Sequence, residues 1–221
     1  MQKYTTNVII SDVTYMKDEK YCVAGWEPTA RKMRRLMPEG HHWHGDNLNK
    51  IKQYSYITVK GWFPANGRDY PHKSEDMAID LDTLKILSTY DTSKKLANDL
   101  EGSIHRNVKS IFRGNLKENT YVPAKSKCPS LGAVVIPSFN LEFFRDNGKL
   151  RVSFKDNDDD QYDLRVTCKY LRDVLDKEKS LKGLNLAIKD YGRAHIRVGL
   201  AKPFAQQDNN CFLMCNGVFL F

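Results

Sequence analysis

Short segments rich in β-branched and aromatic residues, separated by turn-forming residues, run through both halves of this chain. Such segments are typical of β-strands. In the first half they lie at residues 7–13, 21–26, 32–37 and 55–63, and in the second half at 131–136, 141–144, 150–155, 162–166, 194–201 and 211–221. Gly, Pro, Asn and Asp cluster between them, as in the segment 64–67. The pattern predicts a mainly β protein.

The middle of the chain has a helical periodicity. Apolar residues recur there every three or four positions, at Leu96, Leu100, Ile104, Val108 and Ile111. With Thr92 or Ser93 as the cap and Gly114 as the stop, this spacing predicts a helix of about five turns. Gly102 could break this helix, because glycine costs about 1 kcal/mol relative to alanine in a helix interior.

The strands do not alternate with helices, as the βαβ units of a parallel sheet require. We therefore expect a β-rich α+β protein of three parts. A first β unit spans residues 1–90, a helical connecting segment spans 91–127, and a second β unit spans 128–221.

The charge of the chain favours a polyanionic partner. Its 221 residues include 35 Lys and Arg against 27 Asp and Glu, a formal net charge of +8. Binding to phosphates would release condensed counterions. The sequence shows no signal peptide, no apolar run as long as a membrane-spanning helix, and only five cysteines. We expect a cytoplasmic protein with reduced cysteines and no membrane partner.

Three groups of potential metal ligands fail on their spacing. The acidic run 156–160 lacks the glycine and glutamate of an EF-hand loop, and a hairpin turn explains it better. The histidine-rich segment 41–46 has no matching ligand pair elsewhere, and Cys211 and Cys215 are too far apart for a zinc knuckle. No nucleophile or phosphate-loop motif occurs either. We predict no metal, no cofactor and no catalytic residue.

Two adjacent arginines in the first half could contact nucleic acid. Arg34 and Arg35 fall on opposite faces of a strand, so at least one lies near the interior of the first β unit or in a groove. A guanidinium there can bind phosphate or stack on a base. It can equally pair with a carboxylate such as Glu75 or Asp76, and the sequence leaves both interpretations open.

Aromatic residues and a lysine share one face of the next strand. Tyr54, Tyr56 and Lys60 alternate there. Aromatic rings beside cations form the stacking platforms of proteins that bind single strands. The same pattern also fits core packing.

Several segments, in their order along the chain, resemble the dual-OB-containing (DuOB) domain family. They are YCVAGWE (21–27), KMRRLMP (32–38), PHKSEDMAID (71–80), SLGAVVIP (130–137), RVSF with QYDLRVT (151–167), and HIRVGLAKPF with CFLMCNGVF (195–219). The resemblance implies two small OB-type β-barrels joined by the helical segment, a nucleic-acid-binding role, and association with prokaryotic defence or mobile-element systems.

Residues and resemblance together favour a non-catalytic protein that binds single-stranded or structurally altered DNA or RNA beside an effector protein. The candidate binding residues are Arg34, Arg35, Tyr54, Tyr56, His72, Lys73 and Arg197. Glu75 and Asp76 are expected to orient the cations.

Two other hypotheses remain open at this stage. The barrels could form a protein-interaction adaptor, whose mainly apolar contacts would respond little to salt, whereas nucleic-acid binding weakens steeply as salt rises. Alternatively, an enzyme acting on a nucleotide or nucleic acid could use His72 with Glu75 or Asp76 as acid and base.

Overall fold

The computed structural model describes residues 3–38, 42–64, 69–178 and 180–221. The chain divides into two compact units, Met1–Ser103 and Ile104–Phe221. Strands predominate over helices in both, which confirms the predicted mainly β fold class. Within the described ranges, no helix is long and apolar enough to cross a membrane.

The first unit contains a closed five-stranded barrel. Its strands are β1 (Tyr4–Tyr15), β2 (Tyr21–Glu27), β3 (Lys32–Pro38), β4 (Ser55–Trp62) and β5 (Asp76–Thr89). They follow the order β1-β2-β3-β5-β4, and β4 closes back on β1. The pairing of β3 with β5 is parallel and the others are antiparallel. A small barrel of five strands is the architecture of an OB-type fold.

Apolar side chains from all five strands fill this barrel. The buried core includes Val8, Ile10, Val23, Leu36, Ile57, Val59, Met77 and Ile79. Gly25 lies where β1 and β2 approach closely, because a Cβ there would be 2.2 Å from the carbonyl oxygen of Ile9. Helix α1 (Gly45–Leu48) precedes β4, and helix α2 (Ser93–Asp99) with a 3-10 turn (Glu101–Ser103) follows β5.

The described residues of the second unit form two largely antiparallel sheets and three α-helices. Its strands are β6 (Ile104–His105), β7 (Tyr121–Pro123), β8 (Leu131–Pro137), β9 (Leu141–Asp146), β10 (Lys149–Lys155), β11 (Gln161–Arg165), β12 (Arg193–Leu200) and β13 (Asn210–Leu220). Its helices are α3 (Val108–Ile111), α4 (Lys169–Leu175) and α5 (Lys182–Ile188). One sheet has the order β6-β8-β12-β13-β7, and the other β11-β10-β9.

Two connections link these sheets. A 3-10 turn (Ser138–Asn140) carries the chain from β8 into β9, and a parallel bridge joins Val166 to Cys215 of β13. If β8 and β9 count as one interrupted strand, it is followed along the chain by β10, β11, β12 and β13. The first of these five pairs with the second, the second with the third, the fifth with the fourth, and the fourth with the first. The third connects to the fifth through the Val166–Cys215 bridge just beyond the end of β11. This is the pairing order of the barrel in the first unit.

The predicted helix of about five turns from Thr92 to Gly114 is wrong, although the break that the sequence allowed near Gly102 is present. Thr92 does cap a helix, since its side chain accepts a hydrogen bond from the Lys95 amide, but that helix ends at Asp99. Gly102 then packs so closely on Trp26 that a Cβ would lie 2.6 Å from the indole ring. Beyond it, β6 pairs with β8, and α3 forms separately. The division between the units thus falls inside the segment predicted to connect them.

Candidate nucleic-acid interface

The two predicted phosphate ligands, Arg34 and Arg35, are buried. Arg34 Nε donates to Glu27 Oε2 at 2.6 Å, and its Nη1 donates to the Ser74 carbonyl at 3.1 Å. The guanidinium also lies 4.7 Å from the centroid of the Phe63 ring. A phosphate could therefore reach Arg34 only by displacing the partners that it already has.

Arg35 pairs with a carboxylate, which is one of the two interpretations that the sequence left open. Its Nη1 donates to Asp76 Oδ1 at 2.9 Å, and both side chains are at least 94% buried. Burial is the largest influence and acts to lower the pKa of Arg35, but acidic neighbours that include Glu75 and Asp76 raise it above its ordinary value. The pair is thus a charged, buried contact between β3 and β5.

The structure brings the predicted histidine segment next to these arginines. The amides of Glu75 and Asp76 both donate to the carbonyl of His72, and the Arg35 amide donates to the carbonyl of Glu75. His72, Glu75 and Asp76 are buried, whereas Lys73 is exposed. The predicted neighbourhood therefore exists, but of these predicted binding residues only Lys73 presents an exposed side chain, and phosphate binding here stays a prediction.

The two predicted stacking residues occupy different settings. Tyr54 is half-buried with φ of 63°, and its backbone bonds to Ile10 and Tyr90. Tyr56 is also half-buried and lines a cleft of about 400 Å³ in the first unit.

Arg197 belongs to the second unit and is buried in β12. Its guanidinium lies 5.3 Å from the Phe219 ring centroid and occupies the space that a side chain at Gly217 would take. His195 is stacked on the same ring at 4.4 Å, with neither ring nitrogen hydrogen-bonded within the described part of the chain. These contacts make Arg197 a packed residue of the sheet.

The potential metal ligands do not converge in the described residues. No group of three or more His, Cys, Asp and Glu side chains could hold a metal ion there, and His41 lies outside that range. The acidic run forms the predicted turn between β10 and β11. Its Asp156 accepts hydrogen bonds from the amides of Val108 and Asp158, at 2.9 and 3.0 Å, and thereby fixes the start of α3.

An open groove of about 590 Å³ lies in the second unit, between the β9-β10-β11 sheet and α5. We call it the β9–α5 groove. Phe139, in the 3-10 turn before β9, contributes an aromatic ring that is 69% exposed. Lys155 ends β10, and Lys182 and Lys189 project from α5 and its C-cap. The groove also contains one acidic side chain, Glu142.

The three groove lysines are accessible cations. Lys155, Lys182 and Lys189 are exposed, and none pairs with a carboxylate of the described residues. In the same unit Arg151 and Lys169 are held by Asp163 and Asp173. Charges without a carboxylate partner remain available to an anionic ligand.

The net charge is also concentrated in this unit. The second unit carries 20 Lys and Arg against 13 Asp and Glu, whereas the first carries 15 against 14. The formal +8 of the chain therefore divides into +7 and +1. An anionic partner is attracted mainly to the unit that contains the groove.

Sequence reasoning missed the groove residues, although part of the signal was present. Lys182 and Lys189 are seven residues apart, which places them on one helix face two turns apart. Phe139 follows Pro137-Ser138 as an isolated aromatic residue in a turn and carries no periodic signal. Only the fold brings it beside lysines from β10 and α5.

Comparison with protein-family models and with curated proteins gives no match for this chain. The resemblance to the dual-OB-containing family therefore stays a prediction.

Proposed function

We propose that this protein binds single-stranded nucleic acid, without catalysis, in the β9–α5 groove. The observation that carries the proposal is the exposed ring of Phe139 beside three lysines that have no carboxylate partner in the described residues. An aromatic platform and unpaired cations are the two components of single-strand binding that does not depend on sequence.

Each component acts on a different part of the ligand. Stacking of one base on an aromatic side chain contributes about 1–3 kcal/mol. Lysine ammonium groups neutralise phosphates and release counterions, which makes affinity depend on salt. Phe139 can stack only on an unstacked base, because bases inside a duplex are covered by their neighbours. This favours a single strand over a duplex.

The architecture of the second unit supports the same function. Its pairings follow the order of the first barrel, with β8 and β9 as one interrupted strand, and we propose that it is a second OB-type barrel. OB-type barrels bind oligonucleotides across a sheet face and its flanking loops. The β9–α5 groove lies along such a face.

The test is a binding panel of single- and double-stranded DNA and RNA with the full chain at several salt concentrations. We expect single strands to bind more tightly than duplexes. Phe139→Ala should weaken binding roughly tenfold, the effect of losing about 1.4 kcal/mol of stacking. The double variant Lys182→Ala with Lys189→Ala should flatten the salt slope by up to about 1.4, near 0.7 for each lost phosphate contact.

Matched controls are available in the same unit. Phe204 is 49% exposed and lies outside the groove, and Lys177 and Lys202 are exposed lysines outside it. Phe204→Ala should leave the affinity for single strands unchanged. Lys177→Ala and Lys202→Ala should lower it only slightly. Equal losses in groove and control variants would refute the groove as the binding site.

A further inference from the structure

We infer that the first unit holds a second binding site, for a single nucleotide, in the cleft lined by Tyr56. The cleft has a volume of about 400 Å³, within the usual range of small-molecule sites. Its residues all belong to the first unit, so the site does not rest on the groove of the second unit.

The floor of the cleft is a row of side chains across three adjacent strands. Ile9 of β1 pairs directly with Tyr56 of β4, and Tyr56 pairs with Ser88 of β5. Residues opposite one another in a sheet project to the same face. Ile9 is buried, Tyr56 is half-buried and Ser88 is exposed, so the accessible part of the floor consists mainly of Tyr56 and Ser88.

One wall of the cleft is formed by Tyr90 and α2. The Tyr90 hydroxyl donates to Asp99 Oδ2 at 2.7 Å, which holds the ring in place. Burial, followed by the hydrogen bond and charge of Asp99, raises the pKa of Tyr90, so its hydroxyl stays protonated and keeps donating. Two tyrosine side chains thus line one cleft, and the hydrogen bond to Asp99 holds the ring of Tyr90.

The same wall carries one cation and one acceptor. Lys95 and Asp99 are four residues apart and share a face of α2. The Lys95 ammonium lies 6.0 Å from the Tyr90 ring centroid and pairs with no carboxylate of the described residues. Asp99 has a second carboxylate oxygen besides the one that Tyr90 occupies.

This combination fits a nucleotide better than a purely apolar ligand. A planar base can pack against the tyrosine rings and donate an N–H to Asp99, while its phosphate pairs with Lys95. A base without phosphate would use the rings and the carboxylate but leave the cation unused. The nucleotide can be free in solution or a single unit of a bound strand, and both present the same chemistry.

Isothermal titration of the full chain tests the site, with AMP, GMP, CMP and UMP, their nucleosides and inorganic phosphate as probes. Tyr56→Leu should lower the affinity for nucleotides and for nucleosides alike, by roughly tenfold. Lys95→Met should weaken the binding of nucleotides only, so that nucleotides bind no more tightly than nucleosides. The control Lys94→Met removes the neighbouring exposed lysine, which does not line the cleft. It should change neither the affinity for nucleotides nor the affinity for nucleosides.

Two further measurements separate the sources of the ligand and the two sites. Mononucleotide binding should persist in Phe139→Ala, because that residue lies in the other unit. If only oligonucleotides bind, and Tyr56→Leu weakens them while Tyr56→Phe does not, the occupant is a unit of a strand. The inference is overturned if Tyr56→Leu, shown to be folded by circular dichroism, binds mononucleotides and oligonucleotides as the unmodified chain does.

Discussion

The side chain of Asn185 hydrogen-bonds to both backbone polar groups of Phe143. Its Oδ1 accepts from the Phe143 amide at 2.9 Å, and its Nδ2 donates to the Phe143 carbonyl at 2.8 Å. Phe143 lies in β9, an edge strand of the three-stranded sheet, whose outward backbone groups need partners. A side chain of α5 thus takes the place of a neighbouring strand and fixes the helix that carries Lys182 and Lys189.

Asn185→Ala should destabilise the second unit by about 1–3 kcal/mol, because two hydrogen bonds are lost and two backbone groups lose their partners. Urea denaturation measures the loss. Gln207→Ala is the control, since Gln207 is exposed, and it should cost less than about 0.5 kcal/mol. Equal values for the two variants would contradict a positioning role for Asn185.

The buried pair of Arg35 and Asp76 gives a second prediction. Arg35→Met should lower the free energy of unfolding by about 3–5 kcal/mol, because it leaves a buried carboxylate without its cation. The exposed pair of Lys50 and Asp82, at 3.4 Å, is the matched control. Asp82→Asn should cost no more than about 1 kcal/mol. If Arg35→Met weakened oligonucleotide binding at unchanged stability, Arg35 would instead be a phosphate ligand.

Leu100, at the C-terminal end of α2, is fully buried. Leu100→Ala should therefore destabilise the first unit by about 2–5 kcal/mol, the range for a leucine removed from a packed core. Leu87 on β5 is 51% exposed, and Leu87→Ala should fall within about 0.5 kcal/mol of the unmodified chain. Thermal unfolding compares the two, and a melting temperature unchanged in Leu100→Ala would mean that α2 is peripheral.

Most strands could be predicted from the sequence because alternation of side chains is a local signal. The ten predicted segments all lie within or largely coincide with strands of the structure. Strand β5 could not be found in this way, since Asp80 and Asp82 interrupt its apolar residues and its second half is exposed. Its place in the barrel depends on pairing with β3 and β4, which the alternation of its own side chains does not reveal.

The prediction of the middle helix was wrong because its apolar residues belong to two different cores. Leu96 and Leu100 pack in the first unit, and Val108 and Ile111 belong to the core of the second. Their common spacing therefore does not come from one helix face. Contacts of Gly102 with Trp26, and of β6 with β8, decide where the helix ends, and neither contact is visible in local sequence.

The candidate site was only partly predictable. The sequence identified the neighbourhood of Arg35 and Asp76, because both cationic and acidic segments stand out by composition. It could not indicate that the two side chains neutralise each other in a buried pair, since burial depends on the assembled barrel. The exposed lysines of the β9–α5 groove were not predicted, because a single lysine gives no sequence signal until the fold places it beside other lysines.

His195 gives a prediction for the dependence of stability on pH. Burial, and then the nearby charge of Arg197, lower the pKa of His195 well below its ordinary value. Burial also lowers the pKa of the half-buried His105. Both imidazoles are therefore neutral in the folded protein at a pH where the unfolded chain, with a histidine pKa near 6.5, already binds protons.

Because the unfolded state binds more protons below about pH 6.5, stability is complete above that value and falls as pH drops towards the folded pKa. His195 alone should lower the free energy of unfolding by up to about 1.4 kcal/mol for each pH unit in this window. Urea denaturation between about pH 8 and pH 5 measures the slope, which His195→Leu should make shallower by that amount. If His195→Leu kept the full slope, the loss of stability in acid would have to come from another group, with His105→Gln as the next variant to measure.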